Sequence, residues 1–558
     1  MQIPYGVTDF IDIRKSKMFF LDKTAYIQKL EQSDRFLLFL RPRRFGKTLF
    51  LAILDAYYNL KYKHLFDELF KDTYIYQHKT KEANSYHILQ FDFSIVDILD
   101  VEASFLHCLK LETESFIKRY KLNIPSSDNP LNTLKNILKF FKENQDKKLY
   151  ILIDEYDHFA NRLLFQDKAQ YLNLITQKEA LFKQFFSVLK GGTSGNNAPV
   201  RRMFITGVTP MTMYDVTSGF NIGKNISLKP EFNAMLGFTQ EELKQTISKF
   251  NISEQLLELL TEWYDHYQFS PESKETVFNT DMVLYFISEY QDYKKIPREL
   301  IDINVRSDYS KLRSLLYTDK KLNGNFETLK DLILGKSIEL TELQTDFSGL
   351  DFRDEENFKS LLFYLGLVTI KDVTLQTRLK IPNETIKRID VGFLKDSLEL
   401  ENVFWLNLGK LNKLYSEFAL HGNIEVFKYL ANEIKNSTGL RDYIQNEQTI
   451  KAMYLAYLSL SPFFVVKSEL ELNKGFADIF LKPLNPYVEC FGLIEFKFYH
   501  QKDKTKDLVQ KLIAEAKIQL DKYSKDPMVQ AFVQQNKKLV KVILVFQDYQ
   551  LVEAISYF

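Results

Sequence analysis

Three local patterns meet between residues 35 and 58, and their junction restricts the fold more than any other stretch of the chain. Residues 35–40 are an apolar run of strand length, and 49–58 read as a largely buried helix. Between them stand Arg41-Pro42-Arg43-Arg44-Phe45-Gly46-Lys47-Thr48, which close as G-x-x-x-x-G-K-[ST] closes but carry Arg41 in place of the first glycine. A strand that feeds a helix through a tight loop gathers backbone N–H groups and the positive helix end at one point, where a triphosphate would be held. Lys47 is then placed for the β/γ-phosphates and Thr48 for Mg²⁺. Taken alone, these residues fit a basic turn ahead of a core helix equally well.

A second motif shifts that balance. Leu149-Tyr150-Ile151-Leu152-Ile153 is a buried-strand run that ends in Asp154-Glu155, the form of an acidic Walker B motif. There the aspartate holds Mg²⁺ through water and the glutamate polarises the attacking water. Further strands are expected at 87–93 and 202–206, so that residues from about 35 to 210 alternate strands with helices, the pattern of a parallel sheet covered on both faces. Thr206, at the end of the last of these strands, is the candidate polar sensor beside the γ-phosphate. Gly191-Gly192-Thr193-Ser194-Gly195-Asn196-Asn197 reads as a mobile loop. From Gly237 the pattern becomes helical, and Thr239 with Glu242 three residues on marks a capped helix start.

At 558 residues the chain is too long for one core. Its 74 bases and 73 acids leave a net charge of +1, which argues against a surface that is basic throughout but permits a local basic groove. Cys108 and Cys490 lie far apart, so neither a zinc knuckle nor a disulfide framework is expected. No apolar stretch approaches the roughly 18 residues that span a bilayer, and the first residues lack the pattern of a secretory signal. The expected location is the cytoplasm, with no membrane partner.

The C-terminal part carries a second constellation. A helix is expected at 447–460, strands at 463–472, 475–481 and 490–498, a helix at 506–523 and a strand at 539–546. Asp478 falls on the second strand and Glu495-Phe496-Lys497 on the third, where alternation puts Glu495 and Lys497 on one face. Two carboxylates suit Mg²⁺, which accepts a substrate phosphate oxygen, and Lys497 is placed to orient water or neutralise developing charge. Glu447 on the preceding helix is a candidate third acid, and Gln519 with Tyr523 share one face of the later helix. Charges in strands this apolar need compensation, for which an Asp478–Lys497 ion pair is the structural alternative.

Both constellations resemble known families. Residues 3 to about 240 are similar to the AAA-ATPase-like domain common in bacteria, at Tyr5-Gly6, Leu21-Asp22-Lys23-Thr24, the loop Arg41 to Thr48, Ile153-Asp154-Glu155-Tyr156-Asp157 and Thr206-Gly207-Val208. An arginine-rich loop start is the rule in that family. Residues about 440 to 550 resemble a PD-(D/E)XK nuclease domain at Arg441-Asp442-Tyr443, Glu447, Ser468-Glu469, Gly475-Phe476-Ala477-Asp478, Glu495-Phe496-Lys497, Gln519 and Tyr523. The middle matches at Trp263-Tyr264-Asp265, Phe278-Asn279, Pro297-Arg298-Glu299-Leu300 and Leu362-Phe363-Tyr364-Leu365-Gly366, departing at His266, where the family more often has glycine.

The fold class this implies is α/β: a P-loop NTPase parallel sheet with helices on both faces, a helical middle, and a C-terminal α/β PD-(D/E)XK nuclease-like domain. Expected boundaries are 1–236, a helical lid or connector at 237–345, a mixed connector at 346–440, and 441–558. The implied cofactors are ATP and Mg²⁺, with Mn²⁺ as an option at the nuclease site. ATP would be bound by Arg41, Pro42, Arg43, Arg44, Phe45, Gly46, Lys47, Thr48, Asp154 and Thr206, with metal on Thr48 and Asp154 and on Asp478 and Glu495. Glu155, Asp478, Glu495, Lys497 and Glu447 are the expected catalytic residues. The implied function is an ATPase controlling a Mg²⁺-dependent nuclease acting on nucleic acid, DNA ahead of RNA. The alternatives are a nucleotide-dependent switch that binds nucleic acid or protein without cleavage, and an interaction scaffold with structural acids. Homo-oligomerisation through the ATPase domain is left open, and Arg201, Arg202, Arg306 and Arg313 are equivalent candidates for an arginine finger.

Overall fold

The computed structural model describes residues 1–166, 168–176, 180–216, 222–308, 317–318, 321–322, 324–348, 354–400, 404–437, 447–503, 505 and 507–558. They divide into two compact units, one formed by 1–307 with 339–383 and the other by 308–338 with 384–558.

The first unit is built on a five-stranded sheet of order β2-β3-β4-β1-β5. Its strands are β1 (Phe36–Leu40), β2 (His87–Asp92), β3 (Leu149–Asp154), β4 (Val200–Gly207) and β5 (Lys224–Asn225), and every pairing is parallel. All six residues of β3 are buried, as continuous apolar runs are when a parallel sheet is covered on both faces. Four of the strands lie where the apolar runs put them, whereas two-residue β5 has no such run. The register sets Leu40 beside Gly207 and Ile153 beside Ile205, so the carboxyl ends of β1, β3 and β4 open together. Ligands bind at that edge of open α/β sheets.

Helix Lys47–Tyr58 leaves directly from the loop after β1. Helix Pro130–Glu143 precedes β3 and starts with Asn129 accepting from Leu131 N and Pro130 in the first turn, where its missing N–H costs nothing. Helix Leu181–Thr193 precedes β4 and runs through Gly191 to Thr193, where a loop is expected from the sequence. Packing explains the difference: a Cβ on Gly192 would sit 2.9 Å from Leu138, so the glycine lets this turn close against its neighbour. The capping box at Thr239 forms, with Thr239 N donating to Glu242 and Glu242 N to the Thr239 hydroxyl, and Glu242 also pairs with Lys23 at 2.7 Å. Helices Gln240–Lys249, Leu257–Tyr264 and Thr280–Tyr293 follow.

Strands β6 (Tyr317–Thr318) and β7 (Lys321–Leu322) pair antiparallel in the second unit. Strands β8 (Ile338–Leu340), β9 (Thr369–Val373) and β10 (Thr377–Lys380) form a small sheet of order β8-β10-β9.

The second unit centres on a sheet of order β11-β12-β13-β14-β15, comprising β11 (Phe464–Glu471), β12 (Phe476–Pro483), β13 (Cys490–Tyr499), β14 (Lys538–Gln547) and β15 (Gln550–Tyr557). β13 and β14 pair in parallel and the other neighbours antiparallel. Helix Leu508–Tyr523 closes one face through Ile513, Ala516 and Leu520, which pack with Phe480, Leu493 and Val545. Helix Glu447–Leu458 contacts β11. Edge strand β15 is unannounced in the sequence, because its residues alternate weakly and none is fully buried.

Candidate functional site

The loop after β1 is shaped by two left-handed residues, Arg44 (φ 72°) and Gly46 (φ 95°), the latter capping helix Lys47–Tyr58. That conformation suits glycine, which lacks the Cβ that makes it costly. The Lys47 ammonium is buried, donates to the carbonyls of Arg41 (3.1 Å) and Pro42 (3.2 Å), and lies 3.3 Å from Glu155. Thr48 donates to one Asp154 oxygen at 2.7 Å; Thr206 donates to the other at 2.6 Å, with Glu155 N at 3.0 Å. Asp154 thus joins the helix start, the end of β3 and the end of β4. Burial raises its pKa, the Glu155 charge adds to this, and the two hydroxyls oppose it.

Glu155 leaves the strand in a left-handed conformation, φ 49°. Burial works against its charge, but Lys47, His158 and Arg43 outweigh burial and hold its carboxyl below the ordinary carboxylate range. His158 Nδ1 is 3.8 Å from Glu155 and 3.4 Å from Arg43. Hydroxyl and carboxylate oxygens of Thr48 and Asp154 make a hard donor set that fits Mg²⁺.

The loop residues divide in direction. Arg41 turns into the core, where its guanidinium donates to the carbonyls of Leu40, Ser227 and Phe232 and lies 4.3 Å from the rings of both Phe39 and Phe269. Burial lowers its pKa to about 9. Its side chain is spent on the fold, which leaves only its backbone for the phosphate contact expected of it. Phe45 likewise packs edge-on against Tyr267 and Phe269. Pro42 lies against Gly366, where a Cβ would come within 2.8 Å. Arg44 pairs with Asp281 at 3.0 Å and Thr280 donates to Phe45 O, so the outer half of the loop is fastened to helix Thr280–Tyr293. Beside Gly46 an apolar cavity of about 60 Å³ is lined by Pro4, Phe19, Leu21, Phe238 and Leu284.

Asp157, two residues beyond Glu155, has a role that its motif alone does not reveal. It is fully buried and accepts from Val208 N, Thr209 N, the Thr209 hydroxyl and Asn161, which fixes the segment after Thr206 to the segment after Glu155. His266 has φ 73°, a left-handed conformation that favours glycine. Arg201 donates to Gln145, and Arg202 to the carbonyls of Leu30 and Glu31. The Arg306 side chain and Arg313 lie outside the described residues.

In the second unit β12 pairs with β13 as far as Ile479–Ile494, and the next residues outward are Asp478 and Glu495. Asp478 accepts from Phe496 N at 2.7 Å and from Lys451 at 2.7 Å; Lys451 also pairs with Glu447 at 2.9 Å. Lys451 belongs to helix Glu447–Leu458 and was not expected at this site from the sequence. Its i,i+4 spacing from Glu447 was the available signal. Glu469 flanks Asp478 on β11, between the pairs Ser468–Ile479 and Leu470–Ala477, and has φ 47°. Burial raises the Glu469 pKa, and the Asp478 charge adds to it.

Lys497 pairs with Glu495 at 3.0 Å and donates to Gln519 at 2.6 Å, so the structural alternative of an Asp478–Lys497 ion pair takes another form, with Asp478 on Lys451 and Glu495 on Lys497. Glu495 Oε2 is buried and has no hydrogen-bond partner among the described residues. Burial and then the Asp478 charge raise the Glu495 carboxyl to about 7 despite Lys497. An unsatisfied carboxylate oxygen in this acidic setting fits a divalent cation, which Asp478 and Glu495 would hold. Among the described residues no group of three or more acids, histidines or cysteines is arranged to hold a metal ion. Tyr523 is buried beside Gln519; the stretch Arg441-Asp442-Tyr443 lies outside the described residues.

Comparison with known proteins agrees with this division. Residues 4–217 match the family model described as predicted AAA-ATPase, and residues 445–554 match that of the PD-(D/E)XK nuclease superfamily. An uncharacterized protein encoded in the vnfD 5' region of Azotobacter chroococcum mcd 1 is 22% identical over 403 residues, covering 69% of this chain and 68% of its own. The structure of the Aeropyrum pernix ORC2 protein in its ADPNP-ADP complexes aligns over 68% of this chain and 92% of its own, at 11% identity and a TM-score of 0.32. The chain therefore carries a region similar to the predicted AAA-ATPase family at 4–217 and a C-terminal region similar to the PD-(D/E)XK nuclease superfamily at 445–554.

Proposed function

We propose that this protein binds and hydrolyses ATP at the loop Arg41 to Thr48 and thereby controls a metal-dependent hydrolysis of nucleic-acid phosphodiester bonds at Asp478, Glu495 and Lys497. The observation that carries the nuclease reading is Glu495 Oε2, buried and unpartnered beside a second acid and a lysine. A bound Mg²⁺ would supply charge stabilisation for the phosphate and lower the pKa of a water. Lys497, steered by Glu495 and Gln519, orients the attacking water or offsets charge on the phosphate.

In the first unit Lys47 and Glu155 pair at 3.3 Å. With a triphosphate bound, Lys47 would serve its β/γ-phosphates and Glu155 would be left to polarise the attacking water, while Thr206 and Asp157 hold the end of β4 in register with β3. The apolar cavity beside Gly46 offers a surface for the base. No helix among the described residues is long and apolar enough to cross a membrane.

The test is cleavage of single- and double-stranded DNA and RNA by wild type, Lys47→Ala and Lys497→Ala, with and without ATP, in Mg²⁺ and Mn²⁺. Loss of cleavage in Lys497→Ala with ATP binding retained supports the reading; full cleavage in Lys497→Ala sinks it. The second reading, a switch that binds without cutting, is favoured by Lys451, whose ammonium lies between Glu447 and Asp478. Binding without turnover in every metal would establish it.

A further inference from the structure

Away from both constellations, helices Pro130–Glu143 and Leu181–Thr193 of the first unit flank an open groove of about 410 Å³. One wall carries Lys135, Lys139 and Lys142, spaced four and three apart and therefore on one helical face. The facing wall presents Ser187, Gly191 and Ser194, small residues that let a ligand approach the backbone. Among the described residues no acid lines the groove. All three lysines are exposed, and among the described residues they make one ion pair, Lys139 with Glu143 at 4.0 Å, which joins two exposed side chains, where such pairs are worth little.

The charge is local, not a reflection of composition. Across the chain bases and acids balance to +1, yet helix Pro130–Glu143 holds three lysines against Glu143, and residues 180–214 contain Lys183, Lys190, Arg201 and Arg202 without one acid. Both helices run down to the amino ends of β3 and β4, which begin at Leu149 and Val200. The groove therefore lies toward the pole of the sheet opposite Asp154 and Thr206.

We infer that this groove is a binding site for the phosphate backbone of a nucleic acid, a sequence-independent grip in the ATPase-like unit for the polymer that the nuclease-like unit addresses. The inference rests on the nucleic-acid reading given above. Lysines supply phosphate contacts as point charges, and apolar side chains at the groove floor, Leu138 and Val188, carry no base-reading groups. Arg201, bonded to Gln145, extends the basic surface.

The test is fluorescence anisotropy of the full chain with labelled duplex DNA, single-stranded DNA and single-stranded RNA, in EDTA, over a range of salt. The variant is K135Q/K139Q/K142Q, which keeps helix propensity. Losing three phosphate contacts should flatten the slope of log K against log salt by about 2.7 on duplex or about 2.1 on single strands, and weaken binding roughly a hundredfold at about 0.1 M salt. ATP hydrolysis without nucleic acid should match wild type, which shows that the variant is folded. An unchanged slope with wild-type affinity overturns the inference, as does binding of a poly-glutamate peptide with no binding of any nucleic acid. A slope that flattens in a protein that never cleaves supports the groove while refuting the nuclease reading.

Discussion

Gly207 ends β4 beside the candidate nucleotide site, and one added methyl group there tests the geometry sharply. A Cβ at this position would lie 2.4 Å from the ring of Tyr156 and 2.5 Å from an Asp157 oxygen. Carbon contacts are comfortable at about 3.5–4.0 Å, so a neighbour must move by more than an ångström. Neither can do so cheaply. Tyr156 is fully buried and held at both ends, its N donating to Thr206 O at 3.0 Å and its hydroxyl to Thr209 O at 2.5 Å, while Asp157 accepts four groups. Overpacking costs about 1–3 kcal/mol and loss of one hydrogen bond to a buried charge about 1.5–3, which gives about 2.5–6 kcal/mol in all. Gly207→Ala should therefore remove a large part of the stability of the first unit and disorder Thr206. Gly191→Ala is the control: its Cβ meets nothing within 4 Å on a helix, so it should stabilise by up to about 1 kcal/mol. Urea denaturation of both variants provides the measurement. A Gly207→Ala protein within about 0.5 kcal/mol of wild type would refute the reasoning, since that is the range of a harmless surface change.

Lys451→Met removes the ammonium that competes for Asp478, and should raise Mn²⁺ affinity by at least about tenfold in calorimetric titration; an unchanged or weaker affinity would show that Lys451 supports the acids without competing. Asp390 on helix Glu384–Leu400 is buried with neither oxygen hydrogen-bonded among the described residues, and burial holds its pKa well above the ordinary 3.8. The folded state then keeps a proton that the unfolded state loses above 3.8, so stability falls as pH rises from there by about 1.4 kcal/mol per unit until the folded pKa is passed. Asp390→Asn should flatten this part of the pH–stability curve measured by denaturant titration, and persistence of the slope would locate it elsewhere. His266→Gly relieves a left-handed residue costing about 1–2 kcal/mol and adds about 0.5–1 of unfolded-state entropy, for a net gain of up to about 1.5 kcal/mol that His266→Ala should not give, as denaturant titration of both variants would show.

What the sequence disclosed followed from patterns with one physical meaning. Runs such as Leu149 to Ile153 are strands because they are apolar without interruption, and the acids that end them mark the edge where sites form. Asp154, Thr48 and Thr206 could be named separately, but their meeting on one carboxylate depends on the sheet order β3-β4-β1, which no local pattern contains. The same limit hid Lys451, whose partner Asp478 is 27 residues away. Arg41 shows a different limit: a charged residue in a phosphate loop reads as a ligand for phosphate, and only the rings of Phe39 and Phe269 with three carbonyls reveal a core guanidinium. The glycine helix end at 191–193 was hidden because the benefit of close packing on Leu138 outweighs poor helix propensity.

The central claim is that events at Glu155 govern chemistry at Glu495. Its most direct test is the rate of nucleic-acid cleavage in Mg²⁺ as a function of ATP for wild type and Glu155→Gln, with ATP binding measured in parallel. Cleavage by wild type that depends on ATP, together with a Glu155→Gln protein that binds ATP but loses the response, is the predicted result. Equal cleavage rates with and without ATP in both proteins would contradict it.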